Sequence, residues 1–83
     1  MGKYSQAIHF YKHFLNVCRL IGDTDGEALA YNCIGVDFQI LGRIQDQKLY
    51  ERAIEYHLKH KDIADTQGKF LAHVNLGVIY NEL

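Results

Sequence analysis

The sequence predicts an all-α fold of four helices packed as antiparallel pairs. Apolar residues recur at helical spacing along almost the whole chain, which marks one buried face per helix. Aromatic and β-branched residues never alternate with polar ones over the length of a strand. One helix-pair pattern also occurs twice, and a repeated supersecondary unit argues for stacked pairs.

The first helix is expected over residues 3–21, where Ala7, Ile8, Tyr11, Phe14, Leu15 and Cys18 line one face. Gly22 then stands where a helix end needs a left-handed residue. Thr24-Asp25-Gly26-Glu27 reads as a capping box, with the Thr24 hydroxyl on the amide three residues on and Glu27 reaching back. A helix pair therefore opens near Asp25 and occupies 25–66. The face of its first helix is Tyr31, Ile34, Gly35, Phe38 and Leu41, and Gly42 closes it. Residues 43–49 lack glycine and proline and are expected to be a short loop running into an early helix start. The third helix carries Tyr50, Ala53, Ile54, His57, Leu58 and Ile63, and ends before Gly68. The fourth, over 69–83, carries Leu76, Gly77 and Tyr80.

Shifted by 46 residues, Tyr4, Ala7, Ile8 and Gly22 fall on Tyr50, Ala53, Ile54 and Gly68. Shifted by 42, Ala30, Gly35, Val36 and Leu41 fall on Ala72, Gly77, Val78 and Leu83. Ile34 matches Leu76, and Phe38 matches Tyr80. A connection of changed length between two copies of one helix pair accounts for both shifts. Small residues at 7, 35, 53 and 77 are expected where paired helices approach closely.

Tyr31-x-x-Ile34-Gly35-x-x-Phe38 and His73-x-x-Leu76-Gly77-x-x-Tyr80 resemble the first-helix signature of tetratricopeptide repeats (TPR). Ala7-x3-Tyr11 and Ala53-x3-His57 resemble the second-helix signature. The phrase from Ala53 to His60 is similar to the repeats of G-protein signalling modulator-type adaptors, about 40 residues long rather than about 34. The resemblance covers nearly the whole chain. It implies a TPR-like right-handed superhelix, present as a partial array: second helix, first helix, second helix, first helix. The usual proline is missing, His73 replaces an aromatic residue, and seven residues separate Gly42 from Tyr50. A partial array implies apolar surface on both terminal helices, and hence possible self-association.

At 83 residues and 9.6 kDa the chain has room for one small domain. Nine Lys and Arg against ten Asp and Glu give a formal charge of −1. That balance argues against a nucleic-acid module, which needs a basic face to displace counterions, and against a polybasic membrane binder. No run of about 18 apolar residues is present. Residues 1–6 do not read as a signal peptide, because no apolar stretch follows the charge. Cys18 and Cys33 read as two buried thiols in a reducing compartment, which makes the expected location cytoplasmic.

A second apolar stripe runs along the second and fourth helices, on the side away from the packing face. The resemblance implies that first helices line a concave surface that binds peptides. The expected partner-binding face is therefore Leu29, Asn32, Val36, Gln39, Leu71, Val74, Val78 and Asn81. Val36 and Val78 stand where the family's groove asparagine belongs, and no Lys or Arg joins them. Apolar contact with an extended or helical segment is expected, not capture of a terminal carboxylate. The alternative is purely structural: the same residues pack on neighbouring domains.

Other chemistry is thinly represented. His9 and His13 are spaced i, i+4 and His57 and His60 i, i+3, as two zinc ligands can be, but neither pair has a third ligand in sequence. A metal site on His9 and His13 is the weaker alternative. Counted from Asp23, a calcium loop would need glycine sixth and glutamate twelfth, where Ala28 and Ile34 stand. No phosphate-binding glycine loop and no placed acid, base or nucleophile emerges. The expectation is a non-enzymatic interaction scaffold, with no cofactor, a protein or peptide partner, and neither nucleic acid nor membrane.

Overall fold

The computed structural model describes residues 2–83. Its helices are α1 (Gly2–Ile21), α2 (Thr24–Ile44), α3 (Leu49–Ile63) and α4 (Thr66–Glu82). No strand occurs among the described residues. Each helix packs on the next in sequence, and the short links between them force neighbours to run antiparallel. α2 also touches α4, whereas α1 packs on neither α3 nor α4. The Cα atoms spread over 35 × 29 × 14 Å. A single row of helices would be about 5 Å thick at the Cα level. The shortest dimension exceeds that, so the four helices do not lie in one flat row.

The helix ends follow local chemistry, with three corrections to the sequence reading. α1 ends as expected at Gly22, whose φ is +74°. Asp23 N–H then donates to the Cys18 carbonyl at 2.9 Å, as a left-handed closing residue allows. The cap of α2 is Asp23, not Thr24: its carboxylate accepts from Gly26 N–H at 2.9 Å. A carboxylate reaches the free amides of the first turn and also complements the helix dipole. Glu27 does not reach back, because it accepts from the Tyr31 hydroxyl at 3.0 Å.

Gly68 is the second correction. It lies inside the first turn of α4, where its N–H donates to Asp65 Oδ1 at 2.8 Å. Its counterpart is thus Gly26, not Gly22, and α4 begins at Thr66 rather than 69. Both α1–α2 and α3–α4 are joined by two residues. The four-residue difference between the shifts lies in residues 18–21, an extra helical turn on α1. Four residues are close to one turn of 3.6, so the caps of both pairs still meet the preceding helix on the same side. A Cβ on Gly26 would lie 2.6 Å from Cys18 Sγ, and one on Gly68 would lie 2.6 Å from Ala64 Cβ.

Gly42 is the third. It does not close α2, which runs on to Ile44. Gly42 is buried, and a Cβ there would lie 2.9 Å from the Tyr50 ring. Its small size seats the first turn of α3. Residues 45–48 form the short link expected, and α3 starts one residue before Tyr50.

The main core joins α1 and α2 through Ile8, Leu15, Ala30, Tyr31, Ile34 and Leu41. A second cluster joins α3 and α4 through Tyr50, Ala53 and Ile79. Between them Tyr56 stacks on Phe38, with ring centroids 5.8 Å apart, and tilts against Tyr31 at 6.3 Å. Among the described residues, no helix is long and apolar enough to cross a membrane. Of the two thiols, Cys18 is buried and Cys33 half-buried, and both are free.

Candidate protein-binding face

α2 and α4 lie side by side, joined by Asn75 Nδ2 donating to Asn32 Oδ1 at 3.3 Å. Beside this bridge the structure divides the eight expected face residues by helical register. Leu29 and Val36 on α2, and Leu71 and Val78 on α4, stand at matching positions, 42 residues apart. Leu29 is 53%, Leu71 44% and Val78 38% exposed, and Val36 is half-buried. These four make an open apolar stripe across two helices. The described residues enclose no pocket, so the face is shallow.

The other four do not share that stripe equally. Asn32 is tied into the bridge to Asn75. Gln39 is buried, and its Oε1 faces His57 Nε2 at 3.3 Å. It is spent in packing α3 and is removed from the accessible face. Val74 and Asn81 occupy the same positions on α4 that Asn32 and Gln39 hold on α2, and both are exposed. Among the described residues, no further helix covers them. The helical period placed all eight residues opposite the core, but it could not show that Gln39 leans toward a neighbour. The signal for that was the histidine at 57, opposite Gly35.

His57 is the most buried titratable group of the core, fully inaccessible to solvent. Burial pulls its pKa down to about 4, with the neighbouring His60 as the second cause. Its Nε2 faces Gln39, and its Nδ1 has no partner among the described residues. His60 is also buried, and burial lowers its pKa, while the Asp65 carboxylate opposes that shift. Both rings serve helix packing. His9 and His13 are exposed on α1, and no group of three His, Cys, Asp or Glu suited to a metal gathers among the described residues.

At the far end of α4, Glu82 accepts from Arg43 at 2.6 Å and from the Tyr50 hydroxyl. The Tyr50 hydrogen bond, followed by that of Arg43, holds the Glu82 carboxyl below its ordinary range. On α1, the neighbouring Cys33 is the main cause of a raised Tyr11 pKa. Burial raises that of Cys33. None of these groups lies in an enclosed cleft.

The terminal helices expose apolar surface. On α1 these residues are Phe10, Val17, Leu20 and Ile21, and on α4 they include Phe70 and Tyr80. Of the four small positions, Gly35 and Ala53 are buried and Ala7 is half-buried. Gly77 is exposed, and a Cβ there would meet nothing within 4 Å. No protein-family model, curated protein or solved structure matches the chain.

Proposed function

We propose that the chain is a protein-interaction scaffold of the TPR type that holds a partner's peptide or helical segment on the α2–α4 side. The observation that carries this reading is the stripe of Leu29, Val36, Leu71 and Val78, repeated at one register on two adjacent helices, with three members exposed and Val36 half-buried. Scattered apolar residues on a surface are ordinary, whereas a contiguous stripe rimmed by polar groups marks a contact site. The contact between α2 and α4, with none between α1 and α3, supports a slab that curves toward the α2–α4 side. The absence of lysine and arginine from the stripe favours an apolar segment over a carboxylate terminus. The reducing thiols favour an intracellular, cytoplasmic setting for such a scaffold.

Selection of a phage-displayed random peptide library on the immobilised chain tests the proposal. Enriched peptides should bind with micromolar affinity, and Val36→Asp/Val78→Asp should weaken them at least tenfold while the far-UV circular dichroism stays unchanged. Peptides that bind the variant equally well would place recognition elsewhere. Loss of helicity in the variant would assign the stripe to packing instead.

A further inference from the structure

The two terminal helices leave open two faces that differ in shape. On α2, the flank made by Tyr31, Gly35 and Phe38 is covered by α3: a Cβ on Gly35 would lie 2.7 Å from His57, and Tyr56 lies against both Tyr31 and Phe38. The matching flank of α4 is His73, Gly77 and Tyr80, all exposed. On α3, the side turned to α2 is built from Tyr56, His57 and Ile63. The matching residues of α1 are Phe10, Tyr11 and Val17, of which Phe10 is 63% exposed, Val17 is exposed and Tyr11 is half-buried. α4 thus carries the receiving half of an interface seen once inside the chain, and α1 carries the entering half.

We propose that α4 of one copy receives α1 of a second copy, head to tail, in the arrangement that α2 and α3 adopt within a single chain. The side chains are complementary in this register. Where Tyr31 and Tyr56 meet within the chain, His73 and Phe10 meet across copies. Phe10 stacks on Tyr80 as Tyr56 stacks on Phe38. The second copy's α2 then lies beside α4 as α4 lies beside α2. In place of the Asn32–Asn75 bridge, Val74 meets Cys33, so the apolar residue finds an apolar neighbour. The two faces are unlike, so the contact is heterologous and does not close at a dimer. Each copy added buries one α4 face and one α1 face and leaves another of each.

Analytical ultracentrifugation of the whole 83-residue chain from about 5 to about 500 μM tests this. The mass should rise steadily past that of a dimer. Gly77→Arg blocks the receiving face at a position where nothing else is displaced. Phe10→Asp blocks the entering face at an exposed position. Each variant alone should remain a monomer with unchanged helicity. Mixed in equal amounts they should form a one-to-one heterodimer and nothing larger, through the one intact pair of faces. A wild-type monomer at every concentration would overturn the proposal and leave the face to a different protein. So would a dimer that either variant forms alone, since that requires a symmetric contact.

Discussion

The imidazole of His57 occupies the space that a side chain on Gly35 would take: a Cβ there would lie 2.7 Å from Cε1 and 2.9 Å from Nδ1. Gly77, at the same place in the second repeat, faces open space. One sequence feature thus has opposite consequences at two sites. Gly35→Ala gains helix propensity but drives a methyl into a buried ring. Overpacking costs about 1–3 kcal/mol against a gain of about 0.5–1 kcal/mol, so the variant should be destabilised. Gly77→Ala should be stabilised by about 0.5–1 kcal/mol. Urea titration at low micromolar concentration separates the two, and equal shifts at both sites would refute the packing described.

Stability should fall with acid through His57. An exposed imidazole protonates near pH 6.5, while burial holds this one neutral down to about 4. Below 6.5 the unfolded chain takes up a proton that the folded chain refuses. Stability is therefore complete above that pH and declines as the pH falls toward 4, by on the order of 2 kcal/mol. His60 acts in the same direction. In His57→Leu the urea midpoint should vary less between pH 6.5 and 4.5 than in the wild type. An unchanged slope would mean that another group governs the acid response.

The caps should be measurable one by one. Asp23→Ala and Asp65→Ala each remove an acceptor from a first-turn amide and should cost about 1 kcal/mol. Thr24→Ala should stay within about 0.5 kcal/mol of the wild type. A larger loss at Thr24 than at Asp23 would restore the capping box that the sequence suggests.

Burial separates neighbours on α4. Ile79 is fully buried, whereas Val78 is exposed. Ile79→Ala should cost about 2–5 kcal/mol, which in so small a chain removes most of the folded population. Val78→Ala should change the thermal midpoint by only a few degrees. Comparable losses at both positions would contradict the orientation of α4.

Helix content was legible in the sequence because it rests on short-range physics. The spacing of Ile8, Leu15 and Cys18, the left-handed Gly22 and the short link before Tyr50 all act within a few residues. Cap identity was less legible, since Asp23 and Thr24 are adjacent and both residue types suit the role. Only the competing bond from Tyr31 to Glu27 decided between them. The repeat was visible, but whether four residues were lost from a link or from a helix end was not. Either event gives the same shifts, and the difference appears only when Gly26 and Gly68 are seen against Cys18 and Ala64.

By itself the sequence determined four helices, their pairing and the sides that carry apolar residues, because periodicity sets which residues share a face. The tertiary structure decided which of those faces are covered. It buried Gln39 against His57 and left Asn81 open. It filled the hollow over Gly35 and left the one over Gly77 empty. The physical reason is that burial belongs to a pair of helices, and no single helix specifies its neighbour.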